Sequence, residues 1–496
     1  MPSKLGITKS GLKRGAARDR PLYQRLYVQL RDSILSGMLR PGQRLASSRA
    51  LAAQLAVARN TVLLAYGQLE VEGYVAAQRG SGHYVSPLLP QRPSQRHHVA
   101  KRPLLRLGQG PPARVVNAFE FVPRSLRRVL PPIPFRVNHP ALDMFPLDTW
   151  TRLQTRILRE ARAGAGIVAL LGETDAQGDE GLRKAIAEHV SIARGVQCSA
   201  DTIVITAGAQ HAMDMLLRVL TVPGDAVGLE DPCFLGAMSA ARAAGCQIVA
   251  IPVDQGGMVI DRGLARADNV RLALVCPSKQ FPLGVTMSLP RRLALIDWAR
   301  RRGAWIVEDD YDSEFRFDGK PIPSLQGLDG GEHVIYVGTF SKVLFPSLRV
   351  GFIVAPPQII EPLSAARAVS GRHGSALEQR LLARFIGEGH LARHVRRMRA
   401  LYRERQDILL ERCQRRLGDR LRVERADSGL QTVAWLQPHL NDHEVSERAA
   451  KLGLEVAPLS RFCLQAQRAP ALILGFGGFG ERRIREGVNK LALLLR

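Results

Sequence analysis

The stretch Val334–Lys342, VIYVGTFSK, with Arg349 a little further on, decides the reading of this chain. Its opening residues are β-branched and aromatic, the composition of a buried strand, and it ends by delivering a lysine beside two hydroxyls and a cation. Upstream, Ala304–Tyr311 (AWIVEDDY) is a second such run, this one ending in acids. Ligands of parallel sheets bind outside the carboxyl ends of the strands, so Lys342 and Asp309 are expected at neighbouring strand ends of one site. A reactive lysine amine needs a rigid element, and a phosphate needs hydroxyls and a cation close by; Thr339, Ser341 and Arg349 supply them. The combination points to pyridoxal 5'-phosphate, with Lys342 as the catalytic amine that carries it and Asp309 keeping the pyridine nitrogen protonated. Either residue alone carries little weight. A single lysine is usually surface, and an acid pair after a strand usually caps the next helix.

Outward from these runs, strands alternate with helices. Ile203–Thr206 leads into Ala209–Leu220 and Ala226–Leu229 into Leu235–Ala244, with further strands at Leu272–Cys276, Ala304–Glu308 and Val334–Val337. This predicts an α/β body with a mainly parallel sheet covered on both faces, and a smaller α/β lobe near 400–496. Gly208, Ala209 and Gln210 fall between a strand and a helix, where free backbone N–H groups and the helix dipole suit a phosphate.

Charge divides the chain. Residues 1–134 hold 22 Lys and Arg against 5 Asp and Glu, so most of the net +25 belongs to the amino-terminal part. A field of that sign suits a polyanion, nucleic acid or an acidic membrane surface, while a plain basic tail is the bland alternative. No apolar run approaches a membrane span, and Met1–Arg20 is basic without an apolar signal core, so a cytoplasmic protein is expected. The cysteines at 198, 233, 246, 276, 413 and 463 are scattered, which indicates neither a metal site nor a disulfide framework.

From Pro21 the pattern is helical, with Leu22, Leu26, Leu30 and Ile34 on one face. Ser47 and Ser48 cap a second short helix to Leu55, and Val62, Ala65, Tyr66 and Leu69 mark a third. Two short helices joined across Ala56–Arg59 match a helix-turn-helix, whose second member presents its first turn, here Arg59, Asn60 and Thr61, to the major groove of double-stranded DNA. Strands around Tyr74–Ala77 and His83–Val85, with the turn Arg79-Gly80-Ser81-Gly82, form a wing. Residues 87–134 hold ten prolines with many arginines and read as an extended tether. A solvated spacer is the favoured view of it and a nonspecific DNA contact the other; Phe119 and Phe121 suggest that its end packs on the second domain. The expected domains are 21–89, the linker 90–134 and 135–496.

Residues 21–86 closely resemble a GntR-type winged helix-turn-helix, and EDDYDSEFRFDG (308–319), PSKQFPLG (277–284), GTFSKVLFPSLRVGF (338–352) and EGHLARHVRRMRALY (388–402) resemble the aminotransferase-like domain of the MocR subfamily of GntR regulators. The resemblance implies a fold-type-I pyridoxal-phosphate domain, of the aspartate aminotransferase kind, behind a DNA-binding module. It implies DNA contacts at Arg49, Arg59, Asn60, Thr61, Arg79 and Gly80, with base reading and phosphate holding left open for Arg59 and Arg79. It also implies that Phe234 stacks on the pyridine ring, that Tyr311 bonds the cofactor's phenolic oxygen, that Arg461 takes an effector carboxylate, and that the site lies in a head-to-tail homodimer. Four departures stand out. Ala58 replaces a common Ser or Thr, Lys279 a histidine, Glu173 a tyrosine that commonly reaches the neighbouring subunit's phosphate, and Phe234 a tyrosine; a carboxylate at Glu173 is expected to repel that phosphate.

A transcription regulator sensing an amino-bearing metabolite or the cofactor is the leading reading. A working aminotransferase with an appended DNA-binding module and a cofactor-free scaffold are the alternatives. Lys342, Asp309 and Arg349 serve the first two equally.

Overall fold

The structure, a computed structural model, describes residues 21–78, 81–87, 122, 132–162, 166–264, 269–317 and 323–495. They fall into two compact units, one before and one after the division at Gly110 and Pro111.

In the first unit, α1 (Leu22–Leu35) buries Leu26, Leu30 and Ile34. The Ser47 hydroxyl accepts from the Ala50 N–H at 3.1 Å and starts α2 (Ser48–Leu55), which stops where Ala56 turns left-handed. Helix α3 (Arg59–Val71) buries Val62, Ala65, Tyr66 and Leu69, as their spacing predicts, but begins at an Ala58 that offers no side-chain cap. The Tyr66 hydroxyl donates to the Ala46 carbonyl at 2.8 Å and ties α3 to the entry of α2. Strands β1 (Val75–Gln78) and β2 (Gly82–Val85) pair antiparallel, with Val75 opposite Val85 and both in the core. Each begins one residue from the expected position.

The second unit is built on an eight-stranded sheet of β3 (Ile203–Thr206), β4 (Ala226–Asp231), β5 (Gln247–Asp254), β6 (Gly257–Met258), β7 (Val270–Val275), β8 (Trp305–Asp310), β9 (Val334–Thr339) and β10 (Gly351–Val354), in the order β3-β10-β9-β8-β7-β4-β5-β6. The run β9-β8-β7-β4-β5 is parallel, whereas β10 lies antiparallel between β9 and β3. Helices cover both faces, which is why β4 and β9 are buried at every residue and begin as apolar runs. A smaller antiparallel sheet of β11 (Leu421–Val423), β12 (Gln431–Leu436), β13 (Ala457–Pro458) and β14 (Ala471–Gly475), in the order β11-β12-β14-β13, forms the C-terminal lobe. Residues 132–135 lie against it: Phe135 is fully buried and bridges Gly475, and the Pro134 carbonyl accepts from Glu455. Phe119 and Phe121 lie outside the described residues. Among the described residues no helix is long and apolar enough to cross a membrane.

Candidate functional site

Strands β8 and β9 are paired so that Asp309 stands opposite Val337 and Asp310 opposite Gly338. Their carboxyl ends therefore open side by side, and the chain leaves β9 through Thr339, Ser341 and Lys342. These residues line a cavity of about 730 Å3 together with Asn138, Ala209, Gln210, Phe234, Phe281, Tyr311 and Arg349. The structure thus brings together every residue proposed from the sequence for the cofactor.

The Lys342 ammonium donates to the Asn138 carbonyl at 3.2 Å. Burial lowers its pKa to about 8, against the pull of Asp312 and Asp309. Asp309 is raised to about 7, first by burial and then by Asp310 and Asp312. One Asp309 oxygen lies 3.9 Å from the Cys276 thiol, and the other has no partner. A ring N–H bonded there would restore the ionised form, because a cation within contact outweighs the neighbouring acids.

The helix Ala209–Leu220 starts after Gly208, whose φ of +91° suits glycine. The first N–H groups of a helix have no intrahelical partner, so those of Ala209 and Gln210 are available to an anion. Arg349, itself left-handed at φ +51°, lays its guanidinium over this point: a Cβ on Gly208 would sit 3.4 Å from an arginine nitrogen. The Tyr311 hydroxyl, Ser341 Oγ, Gln210 Oε1 and Asn138 Oδ1 are all buried without partners. Orphaned polar atoms converging on one cavity beside a helix start and an arginine fit a phosphorylated ring with polar substituents. Phe234, half-buried, lines the same space and makes a T-shaped contact with Phe281 at 6.0 Å.

Three other residues singled out from the sequence lie outside this lining. Arg461 is exposed and does not line the cavity, since the short helix Leu459–Phe462 turns Leu459 and Phe462 inward instead. Glu173 is solvent-exposed and pairs with exposed Arg372, outside the lining of this chain's own cavity. Lys279 is buried and its ammonium is engaged elsewhere: it ion-pairs Asp312 at 3.3 Å and donates to the Ser428 carbonyl at 2.6 Å.

Sequence reasoning missed Asn138, held at φ +57°, and His211. The ring of His211 accepts from the Ala207 N–H at 3.1 Å and meets the Ser370 hydroxyl at 2.9 Å, which fixes the turn into the phosphate helix. Burial and nearby arginines lower its pKa to about 4, so it serves as a neutral acceptor. Its place in the first turn was the available signal; nothing in the sequence marks Asn138. Among the described residues one group of potential metal ligands lies close together, Asp329, Glu332 and His333, but its carboxylates already pair with Arg300, and Asp329 also accepts the N–H groups of His333 and Val334.

In the first unit Arg49, Arg59 and Asn60 are exposed and Thr61 is half-buried. Arg59 donates from Nε to the Ser48 hydroxyl at 3.2 Å, which places its guanidinium between the starts of α2 and α3. Arg79 and Gly80 lie outside the described residues.

The sheet is that of a fold-type-I aminotransferase body, carried on one chain with a winged helix-turn-helix. Residues 155–467 match the family "Aminotransferase class I and II", and residues 22–85 match "Bacterial regulatory proteins, gntR family". The chain is 38% identical to the probable rhizopine catabolism regulatory protein MocR of Rhizobium meliloti, over 95% of this chain and 93% of that one. It is 32% identical to the pyridoxine biosynthesis transcriptional regulator PdxR of Corynebacterium glutamicum, over 93% of each. Among solved structures, the α-aminoadipate aminotransferase LysN of Thermus thermophilus, complexed with N-(5'-phosphopyridoxyl)-L-leucine, superposes with a TM-score of 0.68 at 30% identity, covering 75% of this chain and 94% of that one. The chain belongs to the MocR-type GntR regulators, and it is a transcription regulator.

Proposed function

We propose that the cavity holds pyridoxal 5'-phosphate on Lys342, and that the loaded body senses a small amino-bearing metabolite and thereby sets the affinity of the winged helix for double-stranded operator DNA. The observation that carries this reading is the meeting of Lys342 and Asp309 at adjacent strand ends, around a cavity lined by unpartnered polar atoms. When bound, the cofactor supplies an electrophilic carbon and an electron-withdrawing ring. Asp309 accepts from the ring nitrogen, Tyr311 donates to the phenolic oxygen and Phe234 stacks on the ring. The phosphate sits on the N–H groups of Ala209 and Gln210 with Thr339, Ser341 and Arg349. In the amino-terminal module Arg49, Arg59, Asn60, Thr61, Arg79 and Gly80 meet DNA. The working boundaries are a DNA-binding domain at 21–89, a tether at 90–134 and the sensing body at 135–496, with the cytoplasm as its place of action.

An effector shifts DNA affinity only by binding two conformations differently. The C-terminal lobe is the moving part in this reading, and its motion would act on its polar ties to the body: Asp231 accepts the N–H groups of Leu464, Gln465 and Ala466, Lys279 holds the turn at Ser428, and backbone bonds join Phe317 to Asp427, Gly429 to Phe315 and Cys233 to Phe462. A head-to-tail homodimer would carry two winged helices on tethers and match repeated half-sites. The test is absorbance of purified protein before and after candidate amines, followed by DNA-binding titrations with the same amines. A colourless protein that ignores added cofactor overturns the reading. Rapid amino-group turnover with DNA affinity unmoved by any amine favours the aminotransferase alternative, whose chemistry needs the same lysine and aspartate.

A further inference from the structure

Helix α3 has an unusual outer face. With residues about 100° apart around the axis, Val62, Ala65, Tyr66 and Leu69 point into the core, and Asn60, Leu64, Gly67 and Val71 point the opposite way, with Leu63 on their flank. Leu63 is 41% exposed and Leu64 50%. Over its first turns this face carries Asn60 as its polar group, and the charges lie at its edge in exposed Arg49 and Arg59.

Gly67 is the second observation. A mid-helix glycine costs about 1 kcal/mol relative to alanine, and such a residue usually answers a close internal approach. Here a Cβ would meet nothing within 4 Å, so the packing of this unit does not demand a glycine. The bare position makes sense if something from outside comes close to the helix backbone.

Resting on the winged-helix reading, we infer that Leu63 and Leu64 are specificity-determining residues that read thymine methyl groups in the major groove, with Gly67 left bare so that α3 can approach the groove closely. In that groove only thymine, among the four bases, presents a methyl, and an apolar side chain recognises it by excluding water from both. The flanking guanidiniums match the phosphates on the groove's edges, a charge pattern that an apolar protein partner would not reward. Asn60, on the same stripe, suits the adenine edge. The operator is thereby expected to hold A·T pairs under the centre of α3.

The test uses the full chain. Duplexes are selected from a randomised pool, and each thymine of the selected site is replaced singly by deoxyuridine, which lacks only the methyl. At one or more thymines the wild type should lose roughly fourfold in affinity, the factor that burial of one methyl-sized group gives. Leu64→Ala or Leu63→Ala should bind the thymine and uracil duplexes alike at that position. Gly67→Ala should raise the thermal midpoint yet weaken binding to the same duplex, two changes that a general folding defect would not produce together. A selected site at which no uracil substitution matters, or equal uracil losses in wild type and the Leu63→Ala/Leu64→Ala double variant, overturns this inference and leaves DNA binding itself intact. Leucine variants that change sedimentation but not uracil discrimination assign the face to a second copy of the chain and overturn it too. A chain that enriches no sequence defeats the winged-helix reading and this inference with it.

Discussion

The ammonium of Lys279, at the end of β7, donates to the carbonyl of Ser428 in the C-terminal lobe at 2.6 Å while it ion-pairs Asp312 at 3.3 Å. Gly429 beside it has φ +83°, and a Cβ there would fall onto both charged groups. One buried lysine thus pins the turn between β11 and β12 to the loop that follows the Asp309 strand. Lys279→Met should destabilise the chain by about 3–5 kcal/mol, because Asp312 is left buried and uncompensated. Urea unfolding of Lys279→Met and of Lys279→Met/Asp312→Asn checks it: the double variant should recover a large part of the loss.

Lys342→Ala should abolish the borohydride-reducible cofactor adduct, read by mass, with the fold unchanged. Asp309→Ala should keep the adduct but raise the cofactor concentration needed to form it, since the ring nitrogen loses its counter-charge.

The pH dependence of loading follows from the lysine. Its amine attacks only when neutral, and burial lowers its pKa from 10.5 to about 8. The initial rate of adduct formation by the cofactor-free chain should therefore rise from pH 6.5 and reach half its maximum near pH 8, rather than climbing beyond pH 10. Stopped-flow absorbance at constant ionic strength measures this.

Gly208→Ala should cost about 1–3 kcal/mol through the φ of +91° and, by straining that backbone, disturb the N–H groups of Ala209 and Gln210 that follow it. Cofactor affinity should fall more than stability alone explains. Calorimetric titration with pyridoxal 5'-phosphate, compared with the phosphate-free aldehyde, separates the two, because only the phosphorylated ligand should weaken.

In the DNA-binding module, Ala58→Ser should stabilise the chain's first unfolding transition by about 1 kcal/mol, since α3 starts there with an extended residue and no side-chain cap. Arg59→Ala should weaken operator binding by about 1–3 kcal/mol with relaxed specificity if the guanidinium reads a base, or flatten the salt dependence if it holds a phosphate. Binding titrations across a salt series distinguish the two.

Much of this molecule was written in local pattern. Spacings of three and four placed the buried faces of α1 and α3, and short apolar runs, two of them ending in acids, marked β4, β7, β8 and β9, because burial on both faces favours that composition. Lys342, Asp309, Thr339, Ser341 and Arg349 were legible as site residues because strand ends in a parallel sheet point the same way. What the sequence did not hold was adjacency between distant segments. That β10 would slip antiparallel between β3 and β9, that the Asn138 carbonyl would face Lys342, and that Lys279 would reach Ser428 are long-range pairings, decided by how the whole body packs. Nor did it reveal that Glu173 would find Arg372 in solvent while Arg461 turned outward. A side chain's identity fixes what it can do; the direction it faces is set by neighbours hundreds of residues away, and only the tertiary structure brings those neighbours in.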